Sequence, residues 1–396
     1  MSSLNGAAHF PDDVVELTQT LVRIPSENPI GDEVAVAEYI SYWLKTHGIG
    51  VETQAVDNKR FNVFGKLKGE GSSPPLVYLA HMDTVPIGER ERWTHDPFGG
   101  EIVDGKLYGR GSCDMKGGTA GAMIALKRLL DSGAELSGDV ILACTVDEES
   151  GMTGSSAMAL EKDKWAEAYL LTMEPTDCKL NVAHKGAFWF QAIMRGRGAH
   201  AANPQFGADA NRAMAKAMLA WYELTEKTLK KELKEHPLLG YPTLIVSKID
   251  GGVKTNIVSE YCHAEMDMRV PPTIEAKQII EYVEGIGKQA AAEYGVSFEL
   301  IVPKELRLPV ECRADSPLIS AFDRAYQGVT SQAAVHEGFL AYTDAATLAV
   351  KTGNQHSTVF GPGLLSDAHT TDEKVEVSQL YLTTDVLEKT ALELLG

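Results

Sequence analysis

The sequence lacks the features of secreted and membrane-embedded proteins. Its five cysteines are odd in number, widely spaced and free of any CxxC pair, which is typical of a reducing compartment. No apolar run approaches the ~20 residues that a membrane-spanning helix needs. The first residues, MSSLNGAAHFPDD, contain neither a basic segment nor an apolar one. We therefore expect a cytoplasmic protein with no signal peptide and no membrane partner.

Positive charge is also scarce, with 37 Lys and Arg against 55 Asp and Glu and a formal net charge of −18 at pH 7. Because binding to phosphates needs a basic surface, we expect no nucleic-acid partner. The hydrophobic content of 44% and the charged content of 23% are ordinary for a globular protein. A chain of 396 residues exceeds the ~250–300 residues at which single cores stop growing, so we expect two domains.

The first part of the chain alternates amphipathic helices with strands that are apolar throughout. Three such strands are LVYLA at 76–80, DVILACTV at 139–146 and YLLTM at 169–173. A strand without polar alternation is covered on both faces, as in parallel sheets. The pattern predicts an α/β fold class, with a mixed, mostly parallel sheet and helices on both faces.

The pattern changes near residue 185, where FWFQAIMRG alternates as a half-exposed strand does. A helix, two strands, a further helix and VSFELIVP follow. The order β-α-β-β-α-β predicts a compact, ferredoxin-like α+β domain. The segments after it look like a return to the first domain. We therefore predict a catalytic domain in two parts, 1–184 and 309–396, interrupted by an inserted domain at 185–308.

Acidic and imidazole side chains follow each of the three apolar strands. In chain order they are His81 and Asp83, then Asp147, Glu148 and Glu149, then Glu174. Ligands of open α/β sheets bind at the carboxyl ends of the strands, so we expect these side chains to lie together. Asp114, in GRGSCDMKGG, and His369, in GPGLLSDAHTTDE, lie on loops and can join them.

Carboxylates and imidazoles without thiolates suit divalent ions such as zinc, cobalt or manganese. One carboxylate can bridge two ions ~3.5–4 Å apart, as in two-metal hydrolases. Two histidines and three carboxylates would form the ligand set, which leaves Glu148 as an unliganded general base. Asp83 lies two residues from His81 on an extended chain, so we expect its carboxylate to accept the ring N–H of His81 and fix the tautomer.

The motifs HMDTVP, GRGSCDMKGG, DEES, MEPT and AHTTDE occur in an order that resembles one metallopeptidase family. That family includes acetylornithine deacetylase, succinyl-diaminopimelate desuccinylase, aminoacylase and glutamate carboxypeptidase. The likeness spans nearly the whole chain. It implies two divalent ions, with His81 and His369 as terminal ligands on different ions. Asp114 would bridge them, and Glu149 and Glu174 would complete the ligand set.

The same resemblance implies roles for residues that bind no ion. Glu148 matches the general base, and Asp83 matches the residue that supports the histidine ligand. The family also has a cis peptide bond after the bridging aspartate, which corresponds here to the bond between Asp114 and Met115.

The inserted domain resembles the lid and dimerisation domain of the family, which implies a homodimer. GAHAANP places His200 at the position of a lid histidine that steadies the oxyanion. VKTNIV and DMRVPP place Asn256 and Arg269 where relatives hold the substrate carboxylate, a group that the arginine fork matches in two parallel bonds. GFLAYTDAATL resembles a loop that helps close the pocket, but Phe339 and Leu340 stand where many relatives have small residues.

Together these features predict a metal-dependent amidohydrolase that cleaves an amide bond next to a free carboxylate, in an acylated amino acid or short peptide. An N-acyl-amino-acid deacylase similar to acetylornithine deacetylase is favoured. The alternatives are a metallo-carboxypeptidase or dipeptidase, or hydrolysis of another C–N bond in an amidine, carbamoyl group or aryl amine. A non-catalytic metal- or amino-acid-binding relative is a fourth interpretation. The acyl group, the side chain and the native metal stay open.

Overall fold

The computed structural model describes residues 11–29 and 32–396, and the chain divides into two compact units. The first unit contains the described residues up to Val182 together with 311–337 and 343–396, and the second contains 183–310 and 338–342. The expected absence of a signal peptide concerns the start of the chain, of which 1–10 lie outside the described residues. No helix within the described part has both the length and the apolar character needed to cross a bilayer.

The first unit opens with helices that pack on a central sheet. Its elements before the boundary are α1 (Val14–Val22), α2 (Val34–Thr46), β1 (Gly50–Ala55), β2 (Phe61–Leu67), β3 (Leu76–His81), β4 (Glu101–Val103), β5 (Lys106–Tyr108), α3 (Gly117–Ser132), β6 (Val140–Thr145), α4 (Thr153–Met158), α5 (Lys162–Trp165), β7 (Tyr169–Thr172) and β8 (Leu180–His184). Helix α1 begins where the Asp13 side chain accepts the N–H groups of Val15 and Glu16, as N-cap residues do.

The second unit is built on a four-stranded antiparallel sheet. Its elements are β9 (Gly186–Arg195), α6 (Ala210–Glu223), α7 (Leu229–Glu232), β10 (Thr243–Gly251), β11 (Tyr261–Val270), α8 (Ala276–Tyr294) and β12 (Ser297–Ile301). The strand order is β10-β11-β9-β12, and α6 and α8 pack on it around one apolar core. The predicted α+β fold is therefore confirmed, although a π-helical turn at Leu224–Thr228 separates α6 from α7, where the sequence predicts one helix.

The chain then returns to the first unit. The remaining elements are β13 (Val310–Glu311), α9 (Pro317–Thr330), β14 (His336–Phe339), α10 (Asp344–Thr352), β15 (Ser357–Val359), β16 (Lys374–Glu376) and α11 (Val377–Leu395). The large sheet has nine strands in the order β1-β2-β6-β3-β7-β15-β8-β13, with β14 beside β8, and β16-β5-β4 form a separate small sheet. The predicted α/β fold class is confirmed, because β6, β3, β7 and β15 are mutually parallel.

Strand β3 shows why the central strands are apolar throughout. Leu76, Tyr78 and Ala80 belong to one apolar core, whereas Val77 and Leu79 belong to a second core that contains residues of α10. Because successive side chains point to opposite faces, a strand covered on both faces must be apolar at every position. The parallel strands β3, β6, β7 and β15 end at the same edge of the sheet. His81 ends β3, and Glu148, Glu149 and Glu174 follow β6 and β7.

Candidate active site

Asp114 lies at the centre of the site, and its two carboxylate oxygens face different histidines. Oδ1 is 2.9 Å from Nε2 of His81, and Oδ2 is 3.3 Å from Nε2 of His369. Asp114 occupies a non-helical turn between β5 and α3, and its peptide bond to Met115 is cis, as the resemblance led us to expect. One carboxylate therefore connects the end of β3 with a loop near the end of the chain.

Two glutamates complete the cluster, one beside each histidine. Oε1 of Glu149 is 3.1 Å from Nε2 of His369, and Oε1 of Glu174 is 3.9 Å from Nε2 of His81. The side-chain nitrogen and oxygen atoms through which His81, Asp114 and Glu149 could hold an ion all lie within 4.8 Å of one another. The structure thus brings the five predicted ligands together around Asp114.

The cluster carries more negative charge than its imidazoles offset. Among the described residues, no lysine or arginine forms an ion pair with Asp114, Glu149 or Glu174. Burial raises the pKa of Glu149 and Glu174, and the charge of Asp114 raises both further. Hydrogen bonds to Asp114 and Glu149 raise the pKa of His369 to about 10. Divalent cations fit this set of oxygen and imidazole donors.

Glu148 lies beside the cluster but contacts neither histidine. Its side chain is buried, and no described residue donates a hydrogen bond to its carboxylate. Burial raises the pKa of Glu148 well above its ordinary value, the charges of Glu174 and Glu149 add to the rise, and His81 opposes it. Such a carboxylate has a strong tendency to accept a proton.

The carboxylate of Asp83 holds the loop of Glu148, whereas its backbone oxygen is the group nearer to the ring of His81. The expected support of His81 by this carboxylate stays a prediction. Nδ1 of His81 is 2.9 Å from the backbone oxygen of Asp83 and 3.6 Å from its carboxylate. The carboxylate instead accepts the backbone N–H groups of Glu148 at 3.1 Å and Glu149 at 3.0 Å. The reason is the pairing of β3 with β6, which brings the residues after His81 alongside the loop after Thr145.

Asn28 and Arg60 bind the carboxylates of Asp83 and Asp147, which flank the loop of Glu148. This role was not predicted from the sequence. Nδ2 of Asn28 donates to the carboxylates of Asp83 at 2.9 Å and Asp147 at 3.0 Å. Nη1 of Arg60 donates to Asp147 at 3.0 Å. A single asparagine in a loop has no pattern that indicates a role, so only its position in the fold reveals it.

The second unit contains the three remaining predicted site residues, His200, Asn256 and Arg269. His200 is exposed and pairs with Ile257 in an isolated β-bridge, next to a hydrogen bond from Ala201 N to Asn256 O of 3.0 Å. His200 and Asn256 are therefore neighbours. The guanidinium of Arg269 donates from Nε and Nη2 to both oxygens of Asp267 at 2.8 Å. The predicted roles of these residues stay predictions.

A mostly parallel α/β sheet with a carboxylate–imidazole cluster at one edge is an arrangement that can hold metal ions for a hydrolytic reaction. The profile of peptidase family M20/M25/M40 matches residues 77–393, and the chain belongs to this family. It is accordingly a hydrolase that acts on C–N bonds.

Relatives match over nearly their whole length. A probable succinyl-diaminopimelate desuccinylase of Staphylococcus epidermidis is 28% identical over 393 residues, covering 94% of this chain and 95% of that protein. An acetylornithine deacetylase of Aliivibrio fischeri is 29% identical over 385 residues, covering 96% and 97%.

Solved structures share the fold at lower identity. The aminopeptidase PepT of Bacillus cereus has a TM-score of 0.79 at 21% identity, covering 96% of this chain and 98% of that one. The YXEP protein of Bacillus subtilis, described as a dinuclear metal-binding peptidase of the M20 family, has a TM-score of 0.73 at 18% identity, covering 96% and 97%.

Proposed function

We propose that the protein is a two-metal N-acyl-amino-acid deacylase of the acetylornithine deacetylase kind, which cleaves an amide bond next to a free carboxylate. The observation that carries the proposal is the position of Asp114, whose two oxygens face His81 and His369 separately. Glu148 lies beside this arrangement with a buried carboxylate and a raised pKa.

The ligand set divides into two groups around the shared carboxylate. His81 and Glu174 would hold one divalent ion, His369 and Glu149 would hold the other, and Asp114 would contact both. When bound, the ions supply positive charge that makes a water molecule more acidic and stabilises negative charge on an amide oxygen. Zinc or cobalt is our first choice, with manganese as the alternative.

The protein's own contribution to the chemistry is the movement of a proton by Glu148. Its carboxylate takes the proton of the attacking water and delivers it to the leaving nitrogen, because burial favours the protonated form of this group. The N–H groups of Glu148 and Glu149 are held by Asp83, which keeps the base and a ligand at a constant separation.

Residues of the second unit would recognise the substrate. We assign the substrate carboxylate to Arg269 and Asn256, and a hydrogen bond to the developing oxyanion to His200. Because Asp267 already uses the Nε–Nη2 edge of the guanidinium, a substrate carboxylate would bind at Nη1 or compete with Asp267.

A homodimer formed through the second unit completes the proposal. Strand β10 lies at an edge of its sheet, where it exposes Ile245 and Ile249, and α6 exposes Leu219 by 70%. Exposed edge strands and apolar side chains are features of protein interfaces. Light scattering of the wild-type protein and of Leu219→Lys tests this, and a monomeric wild-type protein would contradict it.

The five cysteines are buried and unpaired, which supports the proposed cytoplasmic location.

The substrate class is tested with a panel of N-acyl amino acids, dipeptides and carbamoyl amino acids. The protein is assayed after chelation and again after zinc, cobalt or manganese is added back. Hydrolysis of N-acetyl or N-succinyl amino acids, but not of dipeptides, supports the deacylase. A preference for dipeptides would replace it with the peptidase alternative, and the absence of any hydrolysis would favour a binding protein.

A further inference from the structure

Glu373 is a fully buried carboxylate that joins the loop of His369 to the loop of Asp114. Its Oε1 accepts the backbone N–H groups of Cys113 and Asp114, each at 3.0 Å. Its backbone oxygen also accepts the N–H of Gly109 at 2.9 Å. Glu373 lies four residues after His369 in AHTTDE, so one side chain spans the two segments that carry these proposed ligands.

Arg110 provides the opposite charge for this carboxylate. Its Nη1 lies 2.5 Å from Oε2 of Glu373, and both side chains are almost completely excluded from solvent. The guanidinium also lies 5.1 Å from the ring centroid of Trp93 and donates to the backbone oxygen of Pro86 at 3.3 Å. A buried ion pair with further hydrogen bonds has one well-defined geometry, so Glu373 has little freedom to move.

The neighbouring Asp372 gives an internal comparison. Its carboxylate accepts the N–H and hydroxyl of Thr94, at 2.8 and 2.6 Å, and the N–H of His95 at 3.2 Å. It therefore anchors the same loop with a similar number of hydrogen bonds. However, the segment that it binds carries no proposed ligand. A comparison of variants at Asp372 and Glu373 can therefore separate a general anchoring of the loop from a specific positioning of Asp114.

We propose that Glu373 is a positioning residue that sets the separation of His369 and Asp114, and thereby the affinity of the site for the ion that these residues share with Glu149. The inference rests on the proposed two-metal function. Glu373 touches neither the substrate nor the ions in this scheme. It acts through the backbone of Asp114, in the way that residues behind a metal ligand orient it.

The test compares Glu373→Gln with Asp372→Asn in the full-length protein. In Glu373→Gln the amide must direct its NH2 group either at Arg110 or at the two backbone N–H groups, and both arrangements place donors against donors. We expect the affinity for zinc, measured by competition with a chromophoric chelator, to fall roughly 10–100-fold. Asp372→Asn should stay within about twofold of wild type. The melting temperature of the metal-free proteins shows the structural effect of each change.

The outcomes separate the inference from the proposed function. A wild-type protein that binds none of zinc, cobalt and manganese would refute the two-metal function itself. A wild-type protein that binds two ions, together with Glu373→Gln of equal affinity, would overturn the positioning role. Equal weakening by Asp372→Asn would also overturn it, because general anchoring would then explain the loss.

A second variant covers the case in which Glu373→Gln does not fold. Replacing the pair by apolar residues, Arg110→Met with Glu373→Leu, leaves no unpaired buried charge and often preserves stability. It also removes the acceptor for the N–H groups of Cys113 and Asp114. A folded double variant with weakened zinc binding supports the inference, and one with wild-type affinity refutes it.

Discussion

Replacing Asp83 by asparagine tests whether this carboxylate positions the loop of Glu148. In the structure Oδ1 accepts the N–H of Glu148, and Oδ2 accepts the N–H of Glu149 and the side-chain amide of Asn28. An asparagine has one acceptor oxygen and one NH2 group. In either orientation, its NH2 group faces one of the two backbone N–H groups, so a buried donor loses its partner.

The expected magnitude follows from that lost partner. An unsatisfied buried donor costs about 1–3 kcal/mol, so we expect the free energy of unfolding to fall by that amount. The loop of Glu148 and Glu149 should move, and changes behind a metal ligand typically cost roughly 10–100-fold in activity. We therefore expect kcat/KM of Asp83→Asn to fall by one to two orders of magnitude.

Three measurements examine this variant: urea unfolding, hydrolysis kinetics and amide hydrogen exchange of a peptide that covers residues 146–150. Faster exchange in that peptide would report the loosened loop directly. Asp139→Asn serves as the control, because Asp139 lies just before the amino end of β6, whereas Glu148 follows the carboxyl end of the same strand. It accepts the N–H of Gly69 at 2.9 Å and pairs with Lys66 in a partly exposed ion pair. Its loss should cost ~1 kcal/mol or less and leave kcat/KM unchanged.

The reasoning fails if Asp83→Asn retains full kcat/KM and wild-type exchange at 146–150. A different result, in which these amides stay protected while metal binding alone weakens, would return Asp83 to the role expected from the sequence, as the partner of the His81 ring.

Three further predictions concern other parts of the molecule. Glu148→Gln should retain two ions in calorimetric titrations yet lose about 10²–10⁴-fold in kcat; a fully active variant would contradict the mechanism. Without metal it should melt at a higher temperature than wild type at neutral pH, because a carboxyl whose pKa is raised on folding opposes folding above its unfolded pKa. Asn28→Asp places a third carboxylate between Asp83 and Asp147, so it should lower both the stability and kcat/KM. The control is Asn354→Asp, at a buried asparagine just before β15 and at the end of that strand away from the site, which should lower the stability alone. Equal losses of kcat/KM in the two variants would argue against a specific role of Asn28. Burial lowers the pKa of His184 from 6.5 to about 4, so the folded state binds this proton at a lower pH than the unfolded state does. The folded state therefore loses stability as the pH falls from about 6.5 to 4. Urea unfolding across this pH range should show a smaller loss of stability for His184→Leu.

Long segments of the fold were predictable because they carry a strong local pattern. The apolar strands β3, β6 and β7 lie where the sequence predicts them, within one residue at each end. The small sheet β16-β5-β4 was missed, because each of its strands has only three residues and so shows no periodicity. The segment Gly338–Tyr342 groups with the second unit although the sequence places it in the return to the first, since such membership depends on contacts distant in sequence.

The sequence by itself indicated the class of chemistry, because acidic and imidazole side chains that follow apolar strands form a local pattern, which a parallel sheet gathers at one edge. Only the tertiary structure decided how those side chains are arranged: which oxygen of Asp114 faces His81 and which faces His369, and that Asp83 supports Glu148. It also decided that Glu373 binds the backbone of Asp114 across 259 positions of the chain. The physical reason is that hydrogen-bond partners so far apart are chosen by the packing of the whole unit, which no local pattern encodes.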